Sequence, residues 1–235
     1  MSEGAAPKHV AIIMDGNHRW AHSRKLPGAA GHRAGAKRVR EIAEAAAALG
    51  VQHLTLFAFS TENWRRPRRE VTLLMDLMRH VLDDDVAELN RRGVRLRIIG
   101  DRSRFPVDLQ DKMSECEEIT AGNNELDLAV AVNFGGRWDI VQTARELGSK
   151  IQAGELQPDQ IDEVIFAEHT ALAGIPDPDL LIRTGGDHRI SNFLLWDLAY
   201  AELIFTEAFW PDFDPQCLRQ ALAEYAQRQR RFGSR

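Results

Sequence analysis

Apolar residues recur along this chain in short blocks that alternate with longer amphipathic stretches. The first block, residues 10–14, is a continuous apolar run of the kind that forms a strand buried on both faces of a parallel sheet. Residues 31–49 follow as an Ala-rich helix stopped by Gly50, and 53–59 as a second strand. Residues 70–91 carry Val71, Leu74, Met75, Leu77, Met78, Val81 and Leu82 at helical spacing, and 95–99 form a third strand closed by Gly100. Beyond it the pattern predicts a helix over 105–120, a strand over 126–132, helices over 139–152 and 158–169, short strands over 179–182 and 203–205, and a closing helix over 215–231. Strands alternating with helices imply a mainly parallel six-stranded sheet with helices on both faces. No repeat or linker interrupts the pattern, so a single α/β domain is expected over residues 1–235, with 1–8 as a disordered tail.

Composition narrows the class of function. With 44% hydrophobic and 28% charged residues in 235, the chain can bury a sizeable core. A formal charge of −5 argues against a general nucleic-acid binder, so an anionic ligand has to be met by a local cluster of arginines. Cys116 and Cys217 match no metal or redox spacing, which suits a reducing cytoplasm. The opening MSEGAAPK lacks an apolar signal region, and no apolar run is long enough to span a bilayer.

The candidate chemistry gathers where the strands end. Asp15, Ser60, Asn133 and Arg183 each lie at or just beyond the carboxyl end of a predicted strand, the edge at which open α/β sheets bind ligands. Helix capping explains one such cluster, but hardly four coincident ones. Arg19, Arg66, Arg183 and Arg189, with His32 in the first turn of its helix, suit a ligand with several phosphate oxygens. Asp15 would repel that ligand unless a cation lay between them, and Mg²⁺ is the cation usually held by one or two carboxylates plus phosphates. There is no GxxxxGK[ST] loop, and Gly185-Gly186 is too short for a dinucleotide fingerprint. Glu202, in an apolar context, has to be either paired to an arginine or sharing a metal. Arg65, Arg68 and Arg69 are expected on a solvated face, as are Asp83-Asp84-Asp85 and Glu88.

Seven segments in order resemble the cis-prenyltransferase family, and within it the bacterial undecaprenyl diphosphate synthases. They are HVAIIMDGNHRWA, GHRAGAKRVR, LTLFAFSTENWRRP, RLRIIGDRSRF, NFGGRWDIVQ, IRTGGDHRISNFLLWDLAYAEL and WPDFD. The resemblance implies a homodimeric, Mg²⁺-dependent enzyme that adds isopentenyl diphosphate repeatedly to farnesyl diphosphate with cis double bonds. Its product would be the lipid carrier precursor for peptidoglycan and other cell-wall polymers, released through transient membrane contact. It implies Asp15 and Asn63 as catalytic residues, Asn63 at the family's proton-acceptor position although a neutral amide is a poor base. Gly16, Asn17, His18, Arg19, Trp20 and His32 would meet the allylic diphosphate, with Ser60, Thr61, Glu62, Trp64 and Arg66 on a segment that closes over the substrates. Arg183, Arg189, Ile190 and Ser191 would hold isopentenyl diphosphate, and Asp15, His188 and Glu202 the metal. Arg231-Phe232-Gly233 resembles an ending that reaches a partner subunit's site. His18 and Gly28 depart from the family pattern, where Gly and Arg are frequent, and Arg24 or Lys25 is a candidate to compensate; Phe134 stands where Tyr is common. The resemblance also implies an apolar tunnel between sheet and helices, lined by Ala58, Leu74, Leu77, Val94, Leu126 and Leu128 with Leu126 at its floor. A short-chain cis-prenyl synthase, a non-catalytic subunit of the same family, and a phosphatase or kinase are the alternatives.

Overall fold

Six strands build the frame of the computed structural model, which describes residues 6–228. They are β1 (His9–Ile13), β2 (His53–Ser60), β3 (Val94–Ile99), β4 (Leu126–Phe134), β5 (Leu180–Arg183) and β6 (Glu202–Phe205). Every pairing is parallel, in the order β3-β4-β2-β1-β5-β6. Strand β1 is central because all five of its residues are buried, so it has no face to give to water. The chain leaves β1 toward β2 on one side and later returns to β5 on the other. The carboxyl end of β1 is therefore the point at which the winding reverses, the place where such sheets open a crevice.

The helices are α1 (Asn17–Ser23), α2 (Gly28–Ala48), α3 (Arg68–Arg91), α4 (Val107–Thr120), α5 (Gly136–Gln152), α6 (Glu163–Ala167) and α7 (Pro215–Gln227). Alternation along each strand divides the core in two. Val10, Ile12, Leu54, Leu56, Leu128 and Val132 face α2, α3, α4 and α7, meeting Ile42, Met75, Met113 and Leu218. Ala11, Ile13, Phe57, Ala129 and Ala131 face the other way, toward Trp138 of α5 and Phe193. Each such Leu or Ile, taken from water, contributes about 1.5–3 kcal/mol.

Three expectations are corrected. Residues 17–23 form a helix where only a loop was expected. Residues 158–169 hold a short 3-10 turn and the five-residue α6, because Asp162 caps a new start by accepting from the Ile165 N–H (2.8 Å). The end of the expected tail is ordered: Pro7 is buried, and the Lys8 N–H donates to Asp179 Oδ2 at 2.7 Å. Residues 1–5 and the Arg231-Phe232-Gly233 ending lie outside the described residues. Among the described residues, no helix is long and apolar enough to cross a membrane.

Candidate active site

Asp15 stands two residues past β1, held by its backbone. Its N–H donates to Thr184 Oγ1 (2.9 Å), and its carbonyl accepts from that hydroxyl (2.8 Å) and from the Trp210 N–H (2.9 Å). Gly16 then turns the chain into α1 at φ 99°, a left-handed conformation in which a Cβ would lie 2.6 Å from the Phe209 ring. The Asp15 carboxylate meets Arg183 Nη2 at 2.8 Å, Arg19 Nη2 at 3.2 Å and the Gly16 N–H at 2.6 Å. Asp187 adds a second carboxylate to the group, 3.2 Å from Arg183, 2.7 Å from Arg189 and 3.8 Å from Arg19. Burial opposes the charged form of Asp15, yet the Arg183 hydrogen bond and the charges of Arg19 and Arg183 outweigh it and hold the carboxyl below its usual range. Arg183 itself is only 3% exposed. Its other Nη donates to Ser191 Oγ (2.6 Å) and to the Arg189 carbonyl, which ties the loop after β5 to Asp15. Arg189 and Arg19 reach outward, with side chains 64% and 46% exposed. Two fixed carboxylates beneath two exposed guanidiniums suit a diphosphate and a divalent cation.

Beside this polar group an apolar cavity of about 420 Å³ begins at Met14, Asn17 and His32. It runs between α2, α3 and the face of β2, β3 and β4, past Val39, Leu74, Met78 and Val130. Ala58, Leu74, Leu77, Val94 and Leu128 line it as expected, but Leu126 does not: it lies on the same face of β4, fully buried beyond the cavity's end. The far end is polar. Arg40 pairs there with Asp85, and Arg92 with Glu44 at 3.2 Å, so Asp85 and Glu88 line the cavity rather than a solvated face. Arg65, Arg68 and Arg69 are exposed, as expected. At the mouth, Asn17 Oδ1 and His32 Nε2 are buried without a hydrogen-bond partner, which a ligand would supply. Burial, aided by the nearby Arg66 charge, lowers the His32 pKa, with Glu70 opposing. Gly31 positions Asn17: a Cβ at residue 31 would lie 1.9 Å from the Asn17 carbonyl, so only glycine lets α1 pack against α2.

The segment after β2 forms a 3-10 turn, Thr61–Arg65. Ser60 and Asn63 cap each other, the Ser60 N–H donating to Asn63 Oδ1 at 3.1 Å. Trp64 Nε1 donates to Asn133 Oδ1 at 2.7 Å, which is where the Asn133 cluster is used. Arg66 pairs with Glu70 at 2.8 Å, beside His32. Trp20 points elsewhere, donating to Asp212 Oδ1 at 2.7 Å, and Arg24 stacks on it and joins the same carboxylate, so Arg24 is not free to compensate for Gly28. The two departures face each other: a Cβ on Gly28 would lie 2.9 Å from the His18 ring.

The expected metal set does not assemble within one chain. Glu202 begins β6, at the opposite end of the sheet from Asp15, and pairs with Arg228 at 2.8 Å, which accounts for an acid in an apolar stretch. His188 stacks on Phe205 with ring centroids 5.0 Å apart. Among the described residues, no three His, Cys, Asp or Glu side chains converge on a metal position. Sequence reasoning passed over Thr184, Asp187 and Asn192; their signal was their place in the RTGGDHRISN run, where short polar residues read as turn formers.

Residues 13–233 match the family model described as "Putative undecaprenyl diphosphate synthase". The ditrans,polycis-undecaprenyl-diphosphate synthase ((2E,6E)-farnesyl-diphosphate specific) of Xanthomonas campestris is 57% identical over 232 residues, covering 99% of this chain and 90% of its own. The enzyme of the same name from Escherichia coli is 56% identical over 226 residues, covering 96% and 89%. Among solved structures, lavandulyl diphosphate synthase from Lavandula x intermedia, in complex with dimethylallyl diphosphate, superposes with a TM-score of 0.94 at 41% identity, covering 97% and 99%. A probable undecaprenyl diphosphate synthase from Campylobacter jejuni gives 0.82 at 31%, covering 98% and 100%.

Proposed function

The chain belongs to the undecaprenyl diphosphate synthase family, and from that premise we propose that it condenses isopentenyl diphosphate repeatedly onto (2E,6E)-farnesyl diphosphate to give undecaprenyl diphosphate. One observation carries this reading: the arginine-carboxylate group at Asp15 adjoins an apolar cavity, matching a substrate with a diphosphate head and a prenyl tail. In each cycle the allylic C–O bond breaks as diphosphate leaves, the double bond of isopentenyl diphosphate attacks the freed carbon, and a proton departs. The leaving group gains charge, and guanidiniums fixed in advance favour that change. In this reading Arg19 would meet the allylic diphosphate and Arg189 with Ser191 the incoming one, while Arg183 holds Asp15 and the loop in register. Asn63 keeps the segment after β2 in shape by accepting from the Ser60 N–H; a neutral amide is a poor base, so the proton would pass to a diphosphate oxygen or water.

The metal we assign is Mg²⁺. The chain offers it Asp15, with Asp187 close by, and the substrate's phosphates and water would complete its shell instead of His188 and Glu202. Bound there, it would supply positive charge to offset that of the departing diphosphate. A homodimer is supported by Tyr200 (73% exposed) and Leu203 (37%) beside β6, the outermost strand of the sheet. Release of the apolar product calls for a membrane surface. A short-chain product is the second reading, favoured by the likeness to lavandulyl diphosphate synthase. The test is incorporation of labelled isopentenyl diphosphate onto farnesyl diphosphate with Mg²⁺, resolved by chain length. A long ladder, abolished by Asp15→Ala, is expected. A short product moves the chain to the second reading, and no incorporation by folded protein rejects both.

A further inference from the structure

The loop after β5 contains three left-handed residues other than glycine, Ser191 (φ 48°), Asn192 (φ 61°) and Leu194 (φ 40°). Asn192 is the one whose side chain bonds to two other segments of the chain. Its Oδ1 accepts from the Arg137 N–H at 3.0 Å, and its carbonyl accepts from the Gly136 N–H at 2.6 Å, which ties the loop to the start of α5. Its Nδ2 donates to Glu62 Oε1 at 3.2 Å, across to the segment after β2. Gly135 is kept open for this contact, since a Cβ there would lie 2.6 Å from Asn192 Nδ2 and 3.0 Å from Thr61 Oγ1. One residue earlier, Ser191 holds Arg183, and Arg183 holds Asp15. Among Gly, Asn and Asp, the residues that adopt the left-handed region most readily, only the Asn side chain offers a donor and an acceptor together; Gly offers neither and Asp only acceptors.

We propose that Asn192 is a positioning residue that locks the Ser60–Arg66 segment to the loop carrying Arg189 and Ser191, so that the two halves of the diphosphate site close as one unit. This rests on the assignment of those two segments to the substrates. Asn192 touches no reacting atom and acts through Glu62 and the loop. Its amide selects the closed arrangement because Glu62, as a carboxylate, can only accept.

The test compares Asn192→Asp, Glu62→Gln and the double variant in the full-length protein, by steady-state kinetics and by amide hydrogen exchange. Asn192→Asp keeps the acceptor for Arg137 but sets a second carboxylate against Glu62. We expect kcat/KM for isopentenyl diphosphate to fall roughly tenfold, the size of one lost charge-assisted hydrogen bond. The double variant restores a donor between the two positions and recovers roughly threefold or more relative to Asn192→Asp. Exchange in residues 61–66 quickens in Asn192→Asp and slows again in the double variant, whatever reaction the enzyme runs. Additive kinetic effects, or unchanged exchange over 61–66, overturn the proposal. If wild-type protein transfers no prenyl group but the exchange pattern appears, the lock stands and the functional assignment fails.

Discussion

Asp197 offers a test in which the sign and size of the effect follow from burial and two neighbouring carboxylates. The residue is 4% exposed, and its Oδ2 is buried without a hydrogen-bond partner. Burial, with the charges of Asp139 and Asp177 adding to it, pushes its pKa from 3.8 up to about 7. Below pH 3.8 both folded and unfolded chains carry the proton. Between there and about pH 7 the folded chain keeps it while the unfolded chain has lost it, so stability falls as pH rises. Above pH 7 both are ionised and the full penalty remains. At about 1.4 kcal/mol per pH unit, the gap amounts to roughly 4 kcal/mol. Asp197→Asn removes the titration but buries an amide whose own unmet hydrogen bonds cost about 1–3 kcal/mol. The variant should therefore be equal to or weaker than wild type at pH 5 and stronger at pH 9. A net 1–3 kcal/mol at high pH corresponds to a melting midpoint roughly 2–12 °C higher for a chain of this size. Thermal melts of both proteins from pH 5 to 9 measure the difference directly. A constant offset across that range would mean that Asp197 ionises as an ordinary surface carboxylate, and the reasoning fails.

Gly31→Ala puts a methyl 1.9 Å from the Asn17 carbonyl; α1 has to shift, stability should drop by about 1–3 kcal/mol, and turnover should fall further than the melting point suggests. Arg183→Met leaves Asp15 and Asp187 without their buried partner, so denaturant melts should show a loss of about 3–5 kcal/mol that shrinks at acid pH as Asp15 takes up its proton. Leu126→Ala opens space beyond the cavity's end at a stability cost of about 2–5 kcal/mol, and product analysis by chain length should show longer chains; an unchanged ladder would mean the charged far end stops growth instead.

What could be read from the sequence tracks how strongly each element is patterned. Strand β1 is five apolar residues in a row, and the apolar spacing on α3 survives as the wall of the cavity. Because the strands are parallel, their carboxyl ends necessarily lie together, so Asp15, Ser60, Asn133 and Arg183 were placed at one edge correctly. Helix α1 was missed because Asn17–Ser23 has little apolar pattern; it forms by packing on α2 through Gly31, a tertiary cause. Glu202 could be recognised as needing a partner, but Arg228 lies at the end of α7, and only the fold brings them together. Trp20 sits in the most informative motif of the chain and still turns away from the crevice, because helical geometry carries it toward Asp212. Motif membership located the site without saying which way each side chain points.

The central claim is that the cavity running from Met14, Asn17 and His32 between α2, α3 and the sheet holds the prenyl tail. A farnesyl diphosphate analogue with a photoreactive group at the tail's far end tests it most directly, with adducts mapped by peptide mass spectrometry and farnesyl diphosphate as competitor. The account predicts competed labelling within α2 and α3, at residues such as Val39, Leu74 and Met78. Competed labelling on the α5 and α6 side of the sheet, around Trp138 and Phe193, would contradict it.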